Sequence, residues 1–361
     1  MGPFDSALFV SVVGLSAPVL WAALGELISE RGGVINIGLE GMVLGGAFAA
    51  YYVTWLTGSV WVGALASIAA GVAFAAIMGV LAIDRQADQI IVGLGILILG
   101  GGASALAFEQ IFTGTGRTIV DHMSELEIPL LSDVPVIGEA LFKQVPLVYL
   151  AYLAVPFVWW LLWRTRWGLA VRAAGESPEA LEADGISVRA VRWTALLCAG
   201  VGGGLAGATL VVGSLGTFTE NMSAGRGFIA LAAVVFGRWR PVGVLGACLV
   251  FGGADALQLR LQAVGSIPWQ VWTLVALIGV AAVAVPLVRG RQMTPAMALV
   301  PGVVAVAGFV LAVTEPTIDP PSQIWLMFPY VLALLVLAGF VGRARMPSAL
   351  GLPYRRASEV A

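Results

Sequence analysis

Charge is the first thing this chain is short of. Only 11% of its 361 residues are Asp, Glu, Lys or Arg, against about 25% in an ordinary soluble domain. It has a single lysine, Lys143, in Phe142-Lys143-Gln144. That context excludes a P-loop of the form G-x-x-x-x-G-K-[ST], and with it ATP binding by that route. The single histidine, His122, stands beside Asp121 in a polar stretch and reads as solvated surface. The two cysteines, Cys198 and Cys248, lie in apolar runs and read as small buried hydrophobes. No disulfide framework or metal-ligand spacing exists, so no cofactor or metal is expected. The opening MGPFDSALFV has an acid and no basic segment, which argues against a cleaved signal peptide. Nothing in a net charge of −2 asks for a nucleic-acid partner, and none is expected.

What fills the chain instead is apolar. Hydrophobic residues make up 59% of it, and the mean hydropathy is +0.95. Spans need about 20 apolar residues each, and backbone polar groups in lipid must be satisfied internally. The expectation is an all-α, polytopic transmembrane helix bundle of about 10–11 spans. The apolar runs are 7–25, 34–56, 59–82, 90–112, 146–163, 193–214, 227–237, 241–258, 270–288, 296–314 and 323–341. The run 227–237 is too short to cross alone and reads as a broken helix beside a cavity. Four regions follow: an N-terminal membrane half 1–163, a polar loop 164–192, a C-terminal membrane half 193–342 and a tail 343–361.

Arginine placement sets the orientation. The 164–192 loop carries Arg164, Arg166, Arg172, Arg189 and Arg192 and is expected in the cytoplasm, with the C-terminus, while the N-terminus lies outside. The 114–144 segment, richer in acids, falls outside. If 227–237 crosses, Arg238, Arg240, Arg289, Arg291, Arg343, Arg345, Arg355 and Arg356 are all cytoplasmic. An inverted repeat is suggested by Arg31-Gly-Gly-Val-Ile-Asn opening the second span and Arg226-Gly-Phe-Ile-Ala opening the short one.

Inside the polar loop the spelling predicts a short capped helix, Pro178 to Asp184. Ser177 is a good N-cap, Pro178 suits the first helical position, Glu179 lies in the first turn, and Gly185 stands where a left-handed C-terminal cap is needed. Polar residues within the apolar runs are functional candidates by default, since each is costly in lipid. They are Asn36 and Glu40, four apart on one face, then Gln89 and Asp255, joined by Phe218, Asn221 and Arg226 of the polar stretch before the short run. Glu40 also reads as a hydrogen-bonded tie between helices, and Asp88 and Glu109 as ordinary ends of spans. The glycines from Gly200 to Gly207 read as a packing face, and the tryptophans, Trp239 included, mostly as an interfacial belt.

Three stretches resemble a known family. RGGVINIGLEGM from Arg31, AAGESPEALEADGI from Ala173 and AGRGFIALAAVVFGRW from Ala224 resemble, in order, segments of the membrane permeases of ABC importers for branched-chain amino acids, monosaccharides and nucleosides. The wording is most similar to the nucleoside, simple-sugar-like permeases. The resemblance implies a permease subunit for a nucleoside or similar small polar solute. It also implies a cytoplasmic ABC ATPase that hydrolyses ATP on another chain, a second homologous permease, an extracellular solute-binding lipoprotein, and residence in a prokaryotic plasma membrane. The capped helix then becomes the coupling element, carried by Gly175, Glu176, Ser177, Pro178, Ala180, Gly185 and Ile186. Asn36, Glu40, Gln89, Phe218, Asn221, Arg226 and Asp255 become the substrate path. Two departures stand out: residues about 270–320 look like an insertion of two spans, and Leu181-Glu182 departs from the coupling pattern where partner specificity is expected. An ion-coupled transporter or channel using Glu40, Asp88 and Asp255 is the alternative class; an intramembrane enzyme or scaffold has no nucleophile–base pair to stand on.

Overall fold

The computed structural model describes residues 6–112, 119–129, 131–132, 134, 137–264, 269–288, 295–314, 327 and 345–354. Its elements in chain order are α1 (Ser6–Arg31), α2 (Leu39–Thr57), α3 (Val60–Gly79), α4 (Gln89–Phe112), a strand pair of Leu126–Glu127 with Lys143–Gln144 around α5 (Ile137–Phe142), α6 (Pro146–Arg164), α7 (Arg166–Glu176), α8 (Pro178–Ala183), α9 (Val188–Leu210), α10 (Arg226–Phe236), α11 (Pro241–Val264), α12 (Trp269–Val288) and α13 (Pro295–Thr314). The expected all-α membrane bundle is what forms. Among the described residues, six helical stretches are long and apolar enough to cross a membrane: Ser6–Arg31, Val60–Asp84, Gln89–Phe112, Pro146–Arg164, Val188–Ser214 and Pro241–Gln262. The expected span at 323–341 lies outside the described residues.

Helix α9 runs through the middle of the bundle against α1, α2 and α3. Its glycines let backbones meet: a methyl added at Gly204 would stand 2.4 Å from the Ser67 carbonyl oxygen, and one at Gly202 would stand 2.5 Å from that of Trp21. Small residues at helix crossings permit this close packing in lipid, where no hydrophobic drive holds helices together. The apolar side chains of α3, α4 and α6 that face outward, among them Leu65, Ile91, Ile98 and Leu153, are more than half exposed, as a lipid-facing surface requires. Helices α12 and α13 pack on each other, with Gly279 against Ala305 and Gly308 against Ala276.

The two ends of the bundle differ in charge. At one end Arg31 donates from Nε and Nη2 to the Trp239 carbonyl oxygen at 3.0 and 2.7 Å, Arg189 pairs with Asp84 at 2.6 Å, and Arg192 donates to the Leu352 carbonyl oxygen at 2.8 Å. This arginine-rich end therefore gathers the α1–α2 linker, the end of α3, the start of α9, the α10–α11 turn and residues 345–354. At the opposite end the 119–123 segment lies on the loop after α9, with Val120 N donating to Gly216 O and Met123 N to Val212 O, both at 2.7 Å. Lys143 meets Glu127 there at 2.6 Å, and that hydrogen-bonded carboxylate holds the ammonium above its ordinary pKa.

Two helices depart from their expected boundaries. α1 runs on to Arg31 rather than stopping at 25, and α2 begins at Leu39 rather than 34. The Arg31-Gly pair thus ends α1 instead of opening α2. Gly33, at φ +90°, turns the chain back along the last turns of α1. Val34 N donates to Ser29 O at 3.1 Å, and Asn36 N donates to Glu26 Oε1 at 3.0 Å, so the linker re-enters the bundle before α2 starts.

Candidate functional site

At the heart of the bundle two helices start side by side and run in opposite directions. α2 heads for the opposite end, where it turns into α3 at Gly58; α10 heads for Trp239 and the arginine-rich end. With 11 residues, α10 is about 16 Å long, half of a hydrocarbon core of about 30 Å. Its approach is the irregular loop 216–225, which enters from the opposite end at Gly216. Loop and half-helix together connect the two ends, as the short apolar run predicts.

The Glu40 carboxyl group joins the two starts. Its Oε1 accepts from Ser223 Oγ at 2.5 Å and from Gly225 N at 2.8 Å, and its Oε2 accepts from Gly227 N at 2.6 Å. An isolated half-helix in lipid leaves its first backbone N–H groups without partners. Gly225, at φ +79°, provides no side-chain cap, so α10 takes its cap from another helix. The fit is close: a methyl at Gly227 would stand 2.6 Å from the Glu40 Cα. Glu40 therefore fills the helix–helix tie reading, with all three contacts made inside the protein.

The other residues expected along a substrate path fall into separate places. Asn36 is fully buried; its amide nitrogen lies 3.4 Å from Met42 Sδ, and its Oδ1 finds no donor. Gln89, buried at the start of α4, accepts from Ile35 N at 2.8 Å, so it pins the same re-entrant linker. Arg226 and Asp255 meet each other at 3.6 Å across α10 and α11, while Arg226 also donates to the Met222 and Ser223 carbonyl oxygens. Phe218 is buried in an aromatic cluster, its ring 5.5 Å from Phe48, 6.1 Å from Tyr51 and 5.1 Å from Phe108, which covers it with protein. Asn221 is exposed on the entering loop at φ +55°, a conformation that Asn tolerates and β-branched residues do not. Asn221→Gly should therefore leave thermal stability within about 0.5 kcal/mol, whereas Asn221→Val should cost about 1–2 kcal/mol, read as a lowered melting temperature of the purified protein.

Two buried carboxyls outside that set hold the α1–α2 linker and the α10–α11 turn. Glu26 is fully buried in α1; its Oε1 holds Asn36 N, and its Oε2 is a second acceptor without a donor. Glu30, one turn on, accepts from the indole nitrogen of Trp239 at 2.5 Å. That bond draws Trp239 into the core at 4% exposure, so this tryptophan is not part of an interfacial belt. The sequence signal is the helical i, i+4 spacing of Glu26 and Glu30, which lies just beyond the apolar run 7–25.

On the arginine-rich face the short helix forms as spelled, from Pro178 to Ala183 with Asp184 at its C-cap. Gly185 takes φ +79°, and its N–H and that of Ile186 close the helix on Glu182 O and Leu181 O at 2.9 and 3.2 Å. Ser177 precedes it but its hydroxyl makes no cap bond; its φ of −151° and ψ of 79° follow from the end of α7, where Ser177 N still donates to Ala173 O. Glu176, Ser177, Glu179, Ala180, Gly185 and Ile186 are exposed, Pro178 is half-buried, and Gly175 is buried. Leu181, expected to set partner specificity, is 4% exposed and anchors α8 in the core instead. Gly175 lies directly on the α1–α2 linker: a methyl there would stand 2.2 Å from the Arg31 carbonyl oxygen. Glu176 lies 3.9 Å from the Arg31 guanidinium, which also faces the Trp163 ring at 5.6 Å.

A helical bundle built around a half-helix that starts in its interior, with a rigid capped helix presented on its charged end, is a multi-pass membrane permease. The family described as the permease component of the branched-chain amino acid transport system matches residues 8–285, and the chain belongs to it: it is a permease subunit of an ABC importer. It is 34% identical over 348 residues to the guanosine ABC transporter permease protein NupQ of Bacillus subtilis, which covers 94% of this chain and 93% of the relative. It is 32% identical to the nucleoside ABC transporter permease protein NupC of Lactococcus lactis over the same shares of each. It is 39% identical to the putative glucose ABC transporter permease protein TsgC13 of Haloferax volcanii over 72% of this chain and 79% of the relative. No solved structure matches it.

Proposed function

We propose that this permease carries a nucleoside across a prokaryotic plasma membrane, paired with a second permease, driven by a separate cytoplasmic ABC ATPase and supplied by an extracellular solute-binding lipoprotein. The supporting observation is one continuous line of contact from α8 to the interior. α8 is exposed on one side and anchored by Leu181 on the other. It is joined through Gly175 to the Arg31 carbonyl, through the re-entrant linker to Asn36, and through Glu40 to the start of α10. Excess arginine marks the cytoplasmic side, which supports α8 and residues 345–354 lying inside the cell and the start of α1 outside. An ATPase that moves α8 then shifts the linker, and with it the paired starts of α2 and α10 beside which a solute is held. Interior half-helix starts are where transporters place substrate groups. Asn36, Gln89, Asn221, Arg226 and Asp255 are the polar groups closest in sequence to those starts or in contact with them.

Nucleosides are favoured as cargo because the relatives named for them match nearly the full chain. The relative named for glucose supports a monosaccharide as the second reading. An ion-coupled mechanism has less support, since Glu40 is engaged by three donors, Asp255 by Arg226, and Asp88 by the backbone N–H groups of Ile90 and Ile91 at 2.9 and 3.0 Å. In proteoliposomes holding the full complex, guanosine uptake should require ATP, and Gly185→Val should reduce it tenfold or more while the protein still inserts. The φ of +79° at residue 185 is unfavourable for a β-branched side chain by about 1–2 kcal/mol. Uptake by the permease alone under an ion gradient would refute the proposal; ATP-driven uptake of glucose but not guanosine would correct the cargo.

A further inference from the structure

The segment 345–354 is not a free tail. Its Pro347 and Ala349 are buried, and its hydrogen bonds reach four separate parts of the arginine-rich face. Ala349 N donates to Gly175 O at 2.8 Å, and Gly351 N donates to Gly33 O at 3.1 Å. Arg192 of α9 donates to Leu352 O at 2.8 Å, and Gln86, after α3, donates to Tyr354 O at 3.2 Å. Two side chains then bracket α8. Ser348 Oγ donates to Glu176 Oε2, just before the helix, at 3.2 Å. The Tyr354 hydroxyl donates to Glu182, in its last turn.

This arrangement has a mechanical meaning. Between α8, the start of α9 and the end of α3 lies a cavity of about 320 Å³, lined by Ile83, Asp84, Glu182, Arg189, Arg192 and Tyr354 among others. α8 is therefore not packed solidly against α3; Tyr354 bridges the gap, with its hydroxyl on Glu182 and its carbonyl oxygen on Gln86. At the other end of the segment, Ala349 and Gly351 join Gly175 to Gly33, the residue that turns the linker back into the bundle. The segment touches both ends of α8 and, between them, the point where α8's movement would enter the interior. We propose that residues 346–354 are a coupling strap: they make α8, the end of α7 and the Gly33 turn move as one body, with Ser348 and Tyr354 as positioning residues. This rests on the reading of α8 as the contact for the ATPase.

The strap is tested in the assembled, reconstituted transporter by measuring guanosine taken up per ATP hydrolysed. A chain ending at Arg345 should assemble with its partners and hydrolyse ATP within twofold of wild type, while uptake per ATP falls tenfold or more. The milder Ser348→Ala/Tyr354→Phe double variant, which removes only the two brackets, should lose threefold or more in the same ratio. Ser348→Thr, which keeps the hydroxyl, should retain the wild-type ratio. A purely structural role would reduce the amount of assembled complex without changing the ratio. An unchanged ratio in either assembled variant overturns the strap, and if the shortened chain does not assemble, the double variant decides. A wild-type complex that hydrolyses ATP without moving solute overturns the transport reading itself, and the strap's role with it.

Discussion

Replacing Glu40 with alanine should abolish transport and lower stability more than any other single change at the interior site. Three donors lose their acceptor together: the Ser223 hydroxyl and the backbone N–H groups of Gly225 and Gly227. Ser223 is fully buried, and Gly227 is pressed against the Glu40 backbone, so water has little access to replace the carboxyl. Stranding a buried donor costs about 1–3 kcal/mol, which puts the total for three at about 3–9 kcal/mol. Glu40→Gln should fall between, because one oxygen still accepts while the NH₂ group faces an N–H donor. Melting temperature in detergent and ATP-driven uptake give the order wild type, Gln, Ala. If alanine at 40 keeps wild-type stability, α10 is capped by something else and the account of the junction fails.

Gly175→Ala should be the most damaging alanine substitution on the arginine-rich face. The added methyl would stand 2.2 Å from the Arg31 carbonyl oxygen and 3.0 Å from its carbon. Both are backbone atoms at the end of α1, unable to turn aside as a side chain could. α7 must separate from the linker, at about 2–3 kcal/mol for an overpacked contact, and the hydrogen bond from Ala349 N to Gly175 O is disturbed with it. Gly185→Ala makes a controlled comparison. No atom lies within 4 Å of its added methyl, so only the left-handed backbone resists, at about 1 kcal/mol. Uptake should fall tenfold or more for Gly175→Ala and about two- to threefold for Gly185→Ala, with both proteins inserted. Equal effects would mean that α7 does not transmit movement to the linker.

These two sites divide what was legible from what was not. Pro178 and Gly185 announced α8 correctly, because a proline at a helix start and a glycine at φ > 0 act through their own backbone and need no distant partner. The shortness of 227–237 announced a half-helix for a similar reason, since length against membrane thickness is a local measure. Asn36 and Glu40 are conspicuous as polar groups in an apolar run, but their partners in the fold are not readable from it. Glu40 meets donors some 183–187 residues away. Glu26 and Glu30 are not conspicuous in the sequence because α1 continues past the end of its apolar run, and their contacts depend on Asn36 and Trp239 arriving beside them. The burial of Leu181 is not legible in the sequence because exposure on a six-residue helix is decided by the neighbours it lands on.

The amino-acid sequence by itself determined that this chain is a helical membrane protein, that arginine gathers on one face, and that a capped helix stands there. Hydropathy, charge sign and the φ preferences of proline and glycine operate within a few residues, so they survive reading along a line. The tertiary structure alone decided that one carboxyl caps a half-helix on another segment, that Gly175 rests on the backbone of Arg31, and that residues 345–354 bind both ends of α8. Those are pairings between donors and acceptors far apart in the chain. No local periodicity specifies them; they arise where packing leaves buried polar groups only one another to bond.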